Sequence, residues 1–183
     1  MTWPAFYRSR MNARYHTHVA TRYAPLFHEV ARRSGHGLVV EAGAGAGFSA
    51  TALRTHLPPI TPLLLLEREA DMIPLAQENA ARLPETAVVQ ADVLLAPLPL
   101  ADVTFAHGVL EHFSDTVIRR MVARQRRVSR WVIHYVPSAK YAAPSFGDER
   151  LLTAEQWQVV ASPSSIIPFN DGYDLLLLWQ GRL

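Results

Sequence analysis

The chain has 183 residues, of which 49% are hydrophobic, and its formal net charge at pH 7 is +2. This length is enough for one well-buried domain and too short for two ordinary ones. The chain has no cysteine and no apolar run of the roughly 20 residues that cross a bilayer. Its polar, basic and aromatic first residues predict no signal peptide, so we expect a cytoplasmic protein without disulfides, thiolate sites or membrane contacts.

The elements follow one another in an alternating order. Residues 1–34 carry aromatic side chains at helical spacing, which predicts one or two helices that form part of the substrate side. The predicted strands are 37–42, 61–67, 86–91, 102–109, 130–136, 165–169 and 174–182. The predicted helices are 48–57, 70–83, 114–129 and 153–161, with Pro74 expected to disturb the second.

This alternation predicts the fold class. Short apolar strands that alternate with helices indicate a parallel sheet covered on both faces. The last two strands are too close in sequence for a parallel crossover and should form an antiparallel hairpin. We therefore predict a single α/β domain with a Rossmann-like, doubly wound sheet of about seven strands, mostly parallel with the last strand antiparallel. Residues 37–136 would form its cofactor-binding core, and 137–183 its C-terminal helix and hairpin.

The stretch "LVVEAGAGAG" (38–47) places three glycines after the first predicted strand. In such sheets ligands bind beyond the carboxyl ends of the strands, where the strand order reverses. Gly43, Gly45 and Gly47 would let the backbone approach a ligand closely, and the next helix would direct its positive N-terminus at an anionic group. The alternative is a tight turn with close helix–strand packing.

Two ligand classes fit this loop. "GAGFSA" (45–50) matches a dinucleotide fingerprint, with Glu67 where a ribose-binding acid belongs. However, Glu41 would repel a pyrophosphate. A ligand with an ammonium group, a sulfonium and a carboxylate suits both Glu41 and the glycines, and S-adenosylmethionine has all three. A nicotinamide-binding Rossmann protein remains the alternative.

Several motifs together resemble a known family. "EAGAGAG", "LLLLEREADM" and "VVQADVLLAPLPLADVTFAHGVLEHF" are similar in order and spacing to the motifs of class I S-adenosylmethionine-dependent methyltransferases. The resemblance covers about residues 37–136 and is closest to the small-molecule branch that includes ubiquinone and menaquinone C-methyltransferases (methyltransferase type 11). It implies S-adenosylmethionine as cofactor, S-adenosylhomocysteine as product and a small-molecule acceptor.

The resemblance also implies roles for individual residues. Glu67 would bind the two ribose hydroxyls, Met72 would lie against adenine, and Asp92 would accept a hydrogen bond from the adenine amino group with Val93 beside it. His107 would line the cofactor pocket through its backbone. The remaining residues expected at the cofactor are Glu41, Ala42, Gly43, Gly45, Gly47 and Arg68.

Candidates for contact with the acceptor lie at the ends of the fourth and fifth strands and in the N-terminal segment. Those at the strand ends are His107, Glu111, His112, His134 and Tyr135. In the N-terminal segment, Tyr7, Tyr15 and Tyr23 could cover the active site or pack the N-terminal helix on the sheet. His112 could act as a general base if the acceptor arrives protonated; the favoured alternative is that Glu111 and His112 cap or orient the following helix. No acidic cluster has the spacing of a metal site, so we expect no metal.

The helix at 116–130 carries six arginines on one face. They are Arg119, Arg120, Arg124, Arg126, Arg127 and Arg130. Arginine supplies 17 of the 18 basic residues in the chain, and this bias makes the face weak evidence for a nucleic-acid partner. A solvated outer face is the favoured interpretation of these arginines, and a patch that binds RNA or an acidic partner is the alternative. For the function of the whole chain, a further alternative is a non-catalytic relative that binds the cofactor or RNA without transferring a methyl group.

Overall fold

The computed structural model describes residues 2–9, 13–33, 37–145 and 147–182. Within these residues the chain forms six α-helices and seven strands. The helices are α1 (Trp3–Ser9), α2 (Ala13–Arg33), α3 (Phe48–Arg54), α4 (Ile73–Ala80), α5 (Asp115–Val128) and α6 (Ala154–Ala161). The strands are β1 (Val39–Ala42), β2 (Leu63–Glu67), β3 (Thr86–Gln90), β4 (Ala101–His107), β5 (Ser129–Pro137), β6 (Ser165–Phe169) and β7 (Asp174–Gln180).

All seven strands belong to one sheet in the order β3-β2-β1-β4-β5-β7-β6. The first five strands pair in parallel, while β7 runs antiparallel to both β5 and β6. This confirms the predicted sheet and its antiparallel last strand. The chain leaves β1 toward one edge and returns through β4 toward the other, so the loops after β1 and β4 flank the point where strand order reverses. Ligands bind at this point in sheets of this type.

The strands are apolar because helices cover both faces of the sheet. All four residues of β1 are buried, as are most of β2 and β5. One core lies between the sheet and helices α2 and α3, and a second contains residues of α5 and α6. None of the described helices is long and apolar enough to cross a membrane.

The N-terminal helices place aromatic side chains near the reversal point. Val19, Tyr23 and Phe27 of α2 recur every four residues and are buried against the sheet. This packing brings the Tyr23 hydroxyl to His107 at the end of β4. The shorter helix α1 lies over the loop that follows β1, with Tyr7 above Gly45. The side chain of Tyr15 lies outside the described part of the chain.

Two predicted helices are shorter than expected. The helix predicted at 48–57 ends at Arg54, whose guanidinium donates hydrogen bonds to the carbonyls of Thr61, Pro58 and Pro59 and so holds the next turn. The helix predicted at 70–83 is a 3-10 turn (Ala70–Met72) followed by α4. Pro74 lies in the first turn of α4, where its missing N–H costs nothing, so it begins the helix instead of disturbing it.

Candidate active site

The glycine loop turns the chain sharply from β1 into α3. Gly43, Gly45 and Gly47 have φ angles of +74°, +54° and +73°, in the left-handed region that favours glycine. The Gly45 amide donates a 2.7 Å hydrogen bond to Glu67 Oε2, and the Glu69 amide donates a 2.7 Å bond to Glu67 Oε1. Glu67 therefore holds together the loops that follow β1 and β2.

A cleft of about 300 Å³ opens at the ends of the first four strands. Its lining contains seven of the residues predicted to bind the cofactor, namely Gly43, Gly45, Glu67, Arg68, Met72, Asp92 and Val93. This volume lies at the lower end of the range for small-molecule sites. The topology therefore brings residues from three separate motifs into one cleft.

Three other predicted residues are buried and do not line this cleft: Glu41, Ala42 and Gly47. The Glu41 carboxyl is 1% exposed and accepts a hydrogen bond from the Ala50 amide, while its Oε2 has no partner. Burial, and secondarily the charge of Glu67, raises the pKa of Glu41 well above its ordinary value. Through the hydrogen bond with the Ala50 amide, Glu41 supports the first turn of α3, which follows the glycine loop.

The turn after β3 is fixed by two side chains. Asp92 Oδ1 accepts a 2.8 Å hydrogen bond from the Leu94 amide. Arg124 of α5 donates to the carbonyl oxygens of Val93 (3.3 Å) and Ala96 (2.5 Å). The role of Arg124 as a support of the site was not predicted, because nothing in the sequence of α5 indicates that the Arg124 side chain reaches residues 93–96.

Tyr7 covers the glycine loop. Its Cζ lies 2.8 Å from the position that a Cβ on Gly45 would take, and its hydroxyl oxygen lies closer still. Burial is the largest factor that raises the pKa of Tyr7, and the negative charges of Glu41, Glu67 and Glu111 raise it further. Carboxyl groups from three strand ends therefore converge on the space that the Tyr7 hydroxyl fills.

A second cavity of about 80 Å³ adjoins the cleft. Its lining is rich in aromatic rings, contributed by Trp3, Phe6, Tyr7, Tyr135 and Tyr141. Four residues line both spaces, namely Trp3, Tyr7, Gly108 and His112. We refer to the larger space as the cleft and to this smaller one as the aromatic pocket.

His107 lies in the aromatic pocket and not in the cleft lining, where its backbone was predicted. Its Nδ1 is 2.9 Å from the Tyr23 hydroxyl, and its ring stacks on Tyr135 with centroids 4.0 Å apart. Its Nε2 is buried without a partner. Burial, and then the proximity of His16, lowers the pKa of His107 well below its ordinary value. The His107 side chain therefore faces the acceptor side as a neutral imidazole.

His112 occupies the junction of the two spaces. Its Nδ1 lies 3.4 Å from Asp148 Oδ1, and its ring meets Trp3 edge-on with centroids 5.3 Å apart. His112 and Glu111 belong to a 3-10 turn (Leu110–His112). They do not cap α5, which begins after Ser114 without a side-chain cap. The capping alternative is therefore wrong.

Tyr135 and His134, the other two residues predicted to contact the acceptor, lie on opposite faces of β5. Tyr135 lines the aromatic pocket, and its hydroxyl donates a 2.9 Å hydrogen bond to Asp174 Oδ1. His134, on the opposite face of β5, is fully buried with its Nε2 2.8 Å from Gln125 Oε1. His134 lines neither space, and its prediction as an acceptor contact is wrong because side chains alternate across a strand.

Comparison with known proteins bears on what this site does. The family model described as "Methyltransferase domain" matches residues 39–131, about half of the chain. A search of curated proteins found no match.

Solved structures share the fold at low identity. The PH0226 protein from Pyrococcus horikoshii OT3 is 16% identical with a TM-score of 0.72, and the match covers 96% of this chain and 91% of that one. A SAM dependent methyltransferase from Aquifex aeolicus is 14% identical with a TM-score of 0.67, covering 82% and 86%. The pyocyanin biosynthetic protein PhzM is 16% identical with a TM-score of 0.66, covering 85% and 54%. This chain therefore spans about half the length of PhzM.

Proposed function

Because the chain belongs to the methyltransferase domain family, we propose that it binds S-adenosylmethionine and transfers the methyl group to a small-molecule acceptor. The observation that carries the proposal is the meeting of three motifs in one cleft. Gly45 follows the first strand, Glu67 ends the second, and Asp92 follows the third. Each supplies a backbone or carboxylate group suited to a different part of the cofactor.

The nucleoside half of the cofactor fits the groups at β2 and β3. Each oxygen of Glu67 accepts one backbone N–H and keeps a further lone pair for a ribose hydroxyl. Met72 and Val93 offer apolar surface in the cleft lining, and Asp92 offers an acceptor for an adenine amino group. These residues would hold the nucleoside.

The charged half of the cofactor fits the three acids around Tyr7. Glu41, Glu67 and Glu111 all lie close enough to the Tyr7 hydroxyl to raise its pKa. Burial raises the pKa of Glu41 and Glu111, and a cation that entered this space would stabilise their ionised forms and be held by them. The pyrophosphate of a nicotinamide dinucleotide would gain no such partner and would be repelled by any of these carboxyls that is ionised. When bound, S-adenosylmethionine supplies a methyl group already activated on a sulfonium.

The chain's own residues would position the acceptor and manage protons. Helix α1 and residues within 137–145 and 147–151 contribute to the aromatic pocket and would limit the access of water. His112, at the junction with Nδ1 turned toward Asp148, would accept a proton at Nε2 when the acceptor nucleophile arrives protonated. Holding the nucleophile in line is worth about 7–11 kcal/mol of the barrier.

Calorimetry with S-adenosylhomocysteine and with NAD tests the proposal. We expect micromolar binding of S-adenosylhomocysteine and no comparable binding of NAD. Glu67→Ala should weaken binding by about 1.5–3 kcal/mol, because it removes a charged acceptor and leaves two loop amides unpaired. Glu78→Ala, on the exposed side of α4, is the matched control. Tight NAD binding without S-adenosylhomocysteine binding would overturn the assignment.

A further inference from the structure

The aromatic pocket combines ring surfaces with acids. Two carboxyl groups, from Glu111 and Glu149, line it, and among its described lining residues there is no lysine or arginine. Two of its three histidines add no positive charge, because burial lowers the pKa of both His16 (to about 4) and His107. The third, His112, has its Nδ1 3.4 Å from Asp148 Oδ1. The pocket is therefore unsuited to an anionic group and suited to a cationic one.

Glu111 has an unsatisfied atom in this pocket. The residue is 1% exposed, and its Oε2 is buried without a hydrogen-bond partner. Its backbone is held in place because the Arg150 amide donates a 2.9 Å bond to the Glu111 carbonyl. Burial, and then the charge of Glu149, raises the pKa of the Glu111 carboxyl well above its ordinary value. An unpaired buried acceptor is costly, and a ligand that donates to Oε2 would offset this cost.

The aromatic walls are fixed in place. The hydroxyls of Tyr135 and Tyr141 both donate to Asp174 Oδ1 at 2.9 Å, and Asp174 is fully buried. Since these hydroxyls are turned to Asp174, the two tyrosines contribute mainly ring surface to the pocket. A cation within about 6 Å of an aromatic face is attracted to it, and such cages are used to bind alkylated ammonium groups.

From this combination we propose that the group entering the aromatic pocket is an amine, held as its cation by Glu111 and the surrounding rings, and that methyl transfer is to nitrogen. The inference rests on the proposed function, since it names the acceptor class of the same site. An apolar cavity of about 150 Å³ holds benzene, so a pocket of about 80 Å³ takes the amine-bearing end of a molecule.

Methyl transfer to the amine begins with the loss of a proton. The bound ammonium gives one proton to His112 Nε2 and becomes a neutral amine with a free lone pair. That lone pair forms the new N–C bond to the methyl carbon while the C–S bond breaks. The electron pair of the broken C–S bond stays on sulfur, which becomes a neutral thioether. The product is a methylated ammonium that carries the positive charge formerly on sulfur. Glu111 releases its proton to solvent when the cation binds, and the resulting carboxylate pairs with this charge before and after transfer.

Two probes of the same shape and different charge test the inference. Ethanolamine, as its cation, carries an ammonium head with N–H donors, and propan-1-ol replaces its nitrogen by carbon. With the protein saturated by S-adenosylhomocysteine, we expect calorimetry to show ethanolamine binding about tenfold or more tightly than the neutral alcohol. This comparison needs no variant, and equal binding of the two probes, or binding of neither, overturns the inference.

The variant Glu111→Gln identifies the group responsible. It keeps the shape of the side chain and removes its charge, so the affinity ratio of the two probes should fall close to one. Glu155→Gln, on the exposed surface of α6, should leave the wild-type ratio unchanged. An unchanged ratio in Glu111→Gln, with saturation by S-adenosylhomocysteine confirmed for that variant, contradicts the role of Glu111. Failure of the wild type to bind S-adenosylhomocysteine would instead count against the proposed function.

Discussion

Gly45 shows how one residue couples the backbone to the site. Its φ of +54° turns the loop, its amide is bonded to Glu67, and its Cα faces the Tyr7 ring. Any side chain here meets both backbone strain and Tyr7. The glycine therefore serves the turn and the close approach at once.

We expect Gly45→Val to reduce the affinity for S-adenosylhomocysteine by about tenfold or more, because the side chain occupies the ligand's space and strains the loop. Gly147→Val serves as the control that separates backbone strain from occupation of the ligand's space. Gly147 has a similar φ of +63°, and a Cβ there meets no atom within 4 Å. Calorimetry that shows equal losses for both variants would mean that backbone strain alone, and not contact with a ligand, explains the effect.

Glu41 makes stability depend on pH. Its pKa in the folded protein is raised above the ordinary value of 4.5, chiefly by burial. Below 4.5 the residue is protonated in both the folded and unfolded states. As the pH rises, the unfolded state releases this proton first, so the folded protein loses stability until the pH passes the raised folded pKa.

Glu41→Gln should remove this loss, since the amide stays neutral at every pH. We expect its melting temperature to exceed that of the wild type at about pH 8, and the difference to shrink as the pH falls to about 4.5. Thermal melts across this range provide the measurement, with Glu78→Gln as the exposed control. A difference that is constant with pH, or that grows in acid, would mean that Glu41 is ionised in the folded state.

At the scale of elements, helix α1 acts as a cover. Trp3 and Tyr7 line both the cleft and the aromatic pocket, and the Tyr7 ring rests on Gly45. We therefore expect a cofactor that contacts the Gly45 backbone to displace Tyr7. Its apparent affinity would then depend on the fraction of molecules in which Tyr7 has moved aside.

Tyr7→Ala should increase the association rate constant of S-adenosylhomocysteine by about threefold or more, because the bare loop becomes accessible without movement of α1. Stopped-flow fluorescence measures this rate. Arg8→Ala, an exposed neighbour in the same helix, controls for changes in helix stability. A slower association in Tyr7→Ala would show that Tyr7 receives the ligand instead of covering the loop.

Helix α5 uses most of its arginines within the protein. Arg119 pairs with Asp115, Arg124 bonds the turn at 93–96, and Arg126 bonds the Gln180 carbonyl. Just beyond the helix, Arg130 pairs with Asp102. Within the described residues only Arg120 and Arg127 of the six lack such a contact. This favours a solvated face over an RNA-binding one.

Arg124→Ala should therefore weaken S-adenosylhomocysteine binding about tenfold, because the turn that carries Asp92 loses its support. Arg120→Ala, one turn away, is the matched control and should change neither affinity nor stability by more than about 1 kcal/mol. The two affinities are measured by calorimetry. An Arg124→Ala protein with wild-type affinity would contradict the supporting role.

Arg120→Glu with Arg127→Glu tests the RNA alternative at the same face. We expect neither the wild type nor this double variant to bind an RNA oligonucleotide with micromolar affinity near physiological salt, as measured by fluorescence anisotropy. Wild-type binding that falls steeply with salt and disappears in the double variant would instead support an RNA partner.

At the scale of the whole molecule, the order of the strands creates the site. Strand order reverses between β1 and β4, which are parallel neighbours in the sheet. The loops that follow these two strands therefore run to opposite sides, and the cleft opens between them. The second and third motifs enter the cleft because their strands lie in parallel beside β1. The pairing of β5 with β7 brings Tyr135, which lines the aromatic pocket, beside its hydrogen-bond partner Asp174.

The sequence by itself determined the alternation of strands and helices, the antiparallel last strand and the glycine loop with Gly43 and Gly45, because each depends on a pattern within a few neighbouring residues. Glu67 and Asp92 were predicted from the order and spacing of motifs that resemble those of a known family. Only the tertiary structure decided that Tyr7 covers Gly45, that His107 faces the aromatic pocket, and that Arg124 supports a turn 31 residues away. Such contacts join segments that have no shared periodicity, so packing alone can select them. For the same reason the structure separated Tyr135 from His134, neighbours in sequence that the pleat of β5 sends to opposite faces.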